Sequence, residues 1–214
     1  MVNRSEKSQS WYKMKKLTKE FYQRSDVLKV AKELLGKILV SNWNGIITSG
    51  RIVEVEAYAG INDMASHAHG GRKTARNEVM YAEGGMAYVY LCYGIHHLFN
   101  VVTHTREIPH AVLVRAIEPA KGIELMLERT GKKISDNTLT RGPGNVSKAL
   151  GIYTSHSGHS LLSSQLYIAD DGFILSKNEI GSSPRIGVDY AGKDAALAYR
   201  FYVKGNPHVS GKPK

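Results

Sequence analysis

The side chains best suited to chemistry in this chain fall between residues 51 and 100. The stretch 51–58 reads Arg-Ile-Val-Glu-Val-Glu-Ala-Tyr, and strand side chains alternate, so Glu54, Glu56 and Tyr58 share one face while Val53, Val55 and Ala57 share the other. An apolar row facing a core is ordinary; two carboxylates and a phenol in line are not. A carboxylate kept ionised by an arginine can take a proton from water as a general base, and Glu56 is the candidate. The competing reading is a structural ion pair to Arg115 or Arg51, because ion-pair networks imitate sites. Arg115 sits with Leu113 and Ile117 on one face of a strand over 111–117. A buried charge without a partner is costly, so Arg115 either bridges a carboxylate or serves a site.

A second strand, 86–93, carries Tyr88 and Tyr90 on one face and ends in Tyr93-Gly94, after which a third strand resumes near 98–103. Aromatic strand residues usually pack a core. A tyrosine projected from a tight turn has less core to fill and can wedge into a stacked duplex. Enzymes acting on a base extrude it and hold it between aromatic faces, here Tyr58 and Tyr90, with Tyr93 as the plug. His67 and His69 lie between the first two strands in a basic loop ending Gly70-Gly71-Arg72. Nine histidines invite a metal, but there is no HExxH, no cysteine pair and no third carboxylate at ligand spacing, so no metal is expected. A G-x-S-x-G elbow and a P-loop are absent, and Cys92 has no helix N-terminus to activate it. No cofactor is expected.

The elements that position these groups read as one α+β domain over 1–214, with loose ends at 1–10 and 205–214. A helix over 25–35, capped by Ser25 and stopped at Gly36, precedes a strand over 37–43, an Asn44-Gly45 turn and a strand over 46–58. After the 111–117 strand, Glu118-Pro119 predicts a helix through 129; a second follows Arg141-Gly-Pro-Gly144 and ends near 150. The segment 154–164 reads as a surface loop, and 166–169, 173–175, 185–188 and 199–203 as short strands. Residues 11–19 mix aromatic and basic side chains that either cover a core edge or touch phosphate. The composition, 42% hydrophobic and 22% charged, is that of a globular protein, and the net charge of +10 favours a polyanion such as nucleic acid. A solubility charge or an anionic membrane surface are the alternatives. One cysteine excludes an intrachain disulfide, no apolar run reaches the length of a bilayer, and the N-terminus lacks a signal-peptide core. These features imply an intracellular location without membrane partners.

Several motifs in conserved order then resemble one family. Residues 52–58, Ser-His-Ala-His-Gly-Gly-Arg-Lys-Thr-Ala-Arg-Asn (66–77), Tyr-Val-Tyr-Leu-Cys-Tyr-Gly (88–94) and Asn100 closely resemble the alkyladenine (3-methyladenine) DNA glycosylases, in their shorter bacterial form. The likeness continues through 112–119, Arg-Gly-Pro (141–143), Arg-Ile-Gly-Val (185–188) and 200–207. It implies a curved, largely antiparallel sheet flanked by helices. It also implies base-excision repair of double-stranded DNA by a monomeric cytoplasmic, nucleoid-associated enzyme. The damaged purine (3-methyladenine, 7-methylguanine, hypoxanthine or ethenoadenine) is flipped out and hydrolysed off by activated water, leaving an abasic site. Carried over position by position, Glu56 is the general base and Arg115 helps place it and its water. Tyr58, His67 and Tyr90 clasp the flipped base, Tyr93 fills the gap in the duplex, and Asn100 disfavours the 2-amino group of guanine. His96-His97 departs from the vertebrate form, where aromatic residues stand, and 103–110 and 154–183 match poorly, which bears on lesion preference. The rival from another class is a non-enzymatic module that stacks bases on its tyrosines; it gives Glu56 and Arg115 no task.

Overall fold

In the computed structural model, residues 14–211 are described; the expectations for 1–10, and for 11–13 and 212–214, lie outside them. The strands are β1 (Lys15–Lys16), β2 (Ile38–Trp43), β3 (Ile46–Tyr58), β4 (Ala87–Cys92), β5 (His96–Thr103), β6 (His110–Lys121), β7 (Leu166–Asp170), β8 (Ile180–Ser183) and β9 (Arg200–Val203). They form one antiparallel sheet in the order β1-β7-β2-β3-β6-β5-β4, with β9 pairing both β3 and β8. This is the expected α+β architecture with a largely antiparallel sheet. Helices α1 (Lys19–Tyr22), α2 (Val27–Leu34), α3 (Ile123–Thr130) and α4 (Pro143–Leu150) accompany it.

Strand β3 is the spine. Its first half pairs β2 (Ile38↔Arg51 to Trp43↔Ile46), its second half pairs β9 (Glu54↔Tyr202 to Glu56↔Arg200), and β6 runs along the other edge. The Asn44-Gly45 turn between β2 and β3 has φ of 55° and 83°, the doubly left-handed geometry that suits a two-residue hairpin. One side of the sheet buries Ile52, Val55, Ala57, Val112, Val114 and Ile117 against α2 residues Val27, Val30, Ala31 and Leu34 and α4 residues Val146, Ala149 and Leu150. That Ile52 and Val55 share this core breaks strict alternation. Ile52 pairs Ile117, Glu54 pairs Ala116 and Val55 pairs Val114, so Val53 and Arg115 have no register partner. A bulge of this kind re-aims side chains; here it turns Glu54, Glu56 and Arg115 away from the apolar core.

Several boundaries differ from the sequence reading. Asp26, not Ser25, caps α2, its carboxylate accepting the Lys29 N–H at 2.9 Å. No helix begins at Glu118-Pro119, because pairing with β3 carries β6 on through Glu118↔Arg51, Pro119↔Gly50 and Lys121↔Ser49. The helix waits for Gly122, whose φ of 75° turns the chain. Residues 173–175 and 185–188 are not strands. Phe173 instead lies under the Arg51 guanidinium at 4.2 Å, and the strands that β9 pairs are β3 and β8. The segment 154–164 is not merely a surface loop: Leu161 is fully buried, and Ala87 N–H donates to His159 O at 2.8 Å across the free edge of β4. The chain beyond Gly205 is not loose as far as Ser210, which is buried and hydrogen-bonded to Glu54.

Candidate active site

Glu54 and Glu56 are both fully buried on the non-core face of β3, yet their surroundings divide them. Glu54 is saturated. Its Oε1 accepts from Arg115 Nε (2.9 Å), Arg200 Nε (2.7 Å) and Ser210 Oγ (2.9 Å), and its Oε2 accepts from Ser210 N (2.6 Å). Glu56 Oε1 accepts the Ile186 N–H at 2.7 Å and has Arg115 Nη1 at 3.3 Å; Oε2 accepts the Tyr58 hydroxyl at 2.9 Å. Glu54 is therefore a structural anion inside a cationic cage. Glu56 has fewer donors and lines a cavity.

That cavity, of about 370 Å³, gathers all seven candidates: Glu56, Arg115, Tyr58, His67, Tyr90, Tyr93 and Asn100. Its size suits a small ligand. Burial lowers the basicity of Arg115, but Glu56 and Glu54 beside it outweigh this and hold its pKa above the ordinary value, so it stays a cation. Burial, then the charge of Glu56, drives the Tyr58 phenol well above its usual range, so it remains a donor to Glu56. Burial likewise pushes Tyr88 up to about 12. Asn100 is buried, its Nδ2 donating to the carbonyls of Tyr88 and Leu98 at 3.2 Å each.

His67 and His69 part company. His67 points into the cavity, its Nδ1 2.8 Å from the Tyr88 hydroxyl and its ring 4.6 Å from that of Tyr90, edge to face, whereas His69 is exposed. Among the described residues no three His, Cys, Asp or Glu side chains are grouped to hold a metal. Burial, and then the guanidiniums of Arg76 and Arg72, lower the His67 pKa to about 4. The neutral imidazole does not repel a cationic ligand at neutral pH. It also carries a stability signature. Between its ordinary pKa of 6.5 and about 4 the unfolded chain takes up a proton that the folded one refuses. Stability is thus fully present above the upper value and lost as the pH falls through that window. His67→Gln is expected to flatten this part of a stability-against-pH curve from chemical denaturation. An unchanged slope would mean that His67 titrates normally.

Tyr93 is the outlier of the group, 89% exposed at the tip of the β4–β5 hairpin. Tyr93 and Gly94 have φ of 51° and 73°, close to the angles at Asn44-Gly45. A bulky side chain is unfavourable at the first of these positions, where asparagine or glycine normally stands. Folding thus gives no reason for a tyrosine there, and strain of this kind clusters at functional sites.

The sequence reading missed the backbone donor from Ile186 and the cavity walls supplied by Arg76, Pro143 and Tyr190. A main-chain N–H leaves no mark in residue type. What fixes it is Arg185, whose guanidinium grips Asp63 at 2.5 and 2.8 Å, donates to Ala57 O at 2.9 Å and lies 4.8 Å over the Tyr58 ring. Cys92, at the end of β4, is partly exposed and lines the cavity.

A match to the family described as methylpurine-DNA glycosylase (MPG) spans residues 20–207. Among bacterial relatives, a Clostridium acetobutylicum protein is 47% identical over 205 residues, covering 91% of this chain and 97% of that protein. One from Bacillus cereus (strain G9842) is 48% identical over 200 residues, covering 90% and 97%, and one from Chlamydia abortus is 47% identical over 188 residues, covering 87% and 97%. Each of the three is named "Putative 3-methyladenine DNA glycosylase". With a match of this extent, and relatives this similar over nearly their whole length, the chain belongs to the methylpurine-DNA glycosylase family and is a DNA glycosylase.

Proposed function

We propose that this enzyme flips alkylated or deaminated purines out of duplex DNA and hydrolyses the glycosidic bond with water activated by Glu56. The observation that carries the reading is a buried carboxylate, short of donors, on the wall of an aromatic cavity whose rim bears an exposed, strained tyrosine. Glu56 takes the proton of the water as its oxygen bonds C1′ of the deoxyribose. The C1′–N bond breaks, and its electron pair leaves with the base. Arg115, held by Glu54, fixes the position of Glu56. Tyr58, Tyr90 and His67 grip the flipped base, Asn100 excludes the guanine 2-amino group, and Tyr93 fills the vacated stack.

An N3- or N7-alkylated purine is cationic and departs as a neutral base, so water activation and an electron-rich aromatic pocket suffice. Hypoxanthine and ethenoadenine are neutral and need a proton on departure. Among the described residues no lysine lines the cavity, which favours hydrolysis to an abasic site over imine chemistry with strand cleavage.

The test is single-turnover base release, with a chelator present, from duplexes carrying 3-methyladenine, 7-methylguanine, hypoxanthine or ethenoadenine. Strand breaks are scored before and after alkali. Release without spontaneous breakage is expected, fastest for the cationic bases; breakage without alkali, or activity lost to the chelator, would sink the mechanism. In equilibrium binding to the same duplexes Tyr93→Ala is expected to weaken binding to a lesion more than to undamaged duplex, and equal losses would remove the plug role.

A further inference from the structure

A second cavity, of about 400 Å³, adjoins the first and shares His67, Arg76 and Tyr190 with it. Its remaining walls include Arg72, Thr74, Ser66 and Asn77, and among the described residues no carboxylate lines it. The loop that carries these groups is built around Asn77, which is 2% exposed. Its Oδ1 accepts from Thr74 N (2.7 Å) and Thr74 Oγ1 (3.0 Å), and its Nδ2 donates to His67 O (2.9 Å) and Arg72 O (2.8 Å). The two arginines are thus presented by a preorganised loop rather than a loose one.

Neither arginine is paired with an acid among the described residues. Arg76 donates to Leu91 O at 3.1 Å and lies 5.3 Å from the centroid of the Tyr90 ring, bracing the hairpin that carries Tyr93. Arg72 is exposed, and its recorded hydrogen bonds are all made by its main chain: the carbonyl accepts from Asn77 and Tyr81, and the N–H donates to His69 O at 3.3 Å. Both lie near enough to His67 to depress its pKa. Lys73, the next residue, is used differently: it forms an ion pair with Glu107 at 3.0 Å and sits 4.8 Å over the Tyr81 ring.

Two unneutralised guanidiniums converging on a polar cleft select an anion, and their planar forks match phosphate oxygens. A base seated in the lesion cavity is tied by its sugar to two phosphates, and the cleft opens beside that cavity. We propose that Arg72 and Arg76 form a subsite for a backbone phosphate flanking the flipped nucleotide, holding the target strand while the base is in the pocket. The inference rests on the base-flipping reading but concerns binding of the strand rather than the chemical step.

Adjacent residues of equal charge and opposite surroundings give the test. Binding of Arg72→Gln and Lys73→Gln is compared with wild type on a duplex containing one tetrahydrofuran abasic residue. The same duplex is then used with a neutral methylphosphonate at each linkage near that residue in turn. Both side chains are exposed, so the fold survives either change. Arg72→Gln is expected to weaken binding about tenfold and to lower the salt dependence by about one phosphate contact, while Lys73→Gln shifts it by less than about twofold. The Arg72 effect disappears when one of the two flanking linkages is neutral. Equal losses in the two variants, or an Arg72 effect that persists whichever linkage is neutral, would overturn the subsite. Coupling to a flanking linkage in an enzyme that releases no base would leave the subsite standing and remove the reaction proposed above.

Discussion

Glu56→Gln is expected to slow single-turnover base release by about three orders of magnitude, within the usual range for loss of a general base. The amide keeps the shape of the carboxylate. Its Oε1 can still accept the Ile186 N–H, and its NH2 can donate to the Tyr58 oxygen where the acid accepted from it. Arg115 keeps Glu54 at 2.9 Å, so the charge balance of the buried cluster survives in part. What is lost is the capacity to take a proton. Lesion binding should therefore stay within about threefold of wild type, since the stacking faces and the plug are untouched. A variant that releases 7-methylguanine at more than about a tenth of the wild-type rate would show that Glu56 is not the base. The comparison is sharpest on a neutral lesion, where the leaving group offers no charge of its own to weaken the bond.

Part of the candidate site was legible because strand periodicity and turn chemistry are local, whereas His67 and Asn100 were singled out as pocket residues by the family resemblance alone. Alternation put Glu54, Glu56 and Tyr58 on one face, and Tyr93-Gly94 marked a hairpin. What escaped was set by pairing and by the main chain. Glu118-Pro119 carries a local helix signal that the length of β3 overrides. The bulge at Val53 and Arg115 exists only in the register between two strands. Ile186 contributes through an N–H that any residue but proline possesses. Ser210 looked like part of a loose tail because its partner, Glu54, lies 156 residues away.

The same distant contact gives the second large effect, on stability. Glu54 is fully buried and is the carboxylate that neutralises Arg200; it also shares Arg115 with Glu56. In Glu54→Gln the amide NH2 must face guanidinium N–H groups or the Ser210 N–H, donors against donors. Where the NH2 takes the place of Oε1, the hydrogen bonds left to Arg200 are those to Ser183 Oγ and the Ser210 carbonyl. Leaving a buried cation uncompensated costs about 3–5 kcal/mol, which is a large part of the stability of an ordinary domain. Denaturant unfolding should show a loss of that order for Glu54→Gln and a small one for Glu56→Gln. Adding Arg200→Met to Glu54→Gln should recover part of it by removing the stranded charge. A loss below about 1 kcal/mol in Glu54→Gln would mean that solvent reaches the cage when the segment around Ser210 opens, as it does around surface pairs. If the larger loss is found, two carboxylates two positions apart on one strand have opposite duties. The one that accepts four hydrogen bonds holds the sheet to its C-terminal segment, and the one with fewer donors, on the wall of the cavity, is free to meet water.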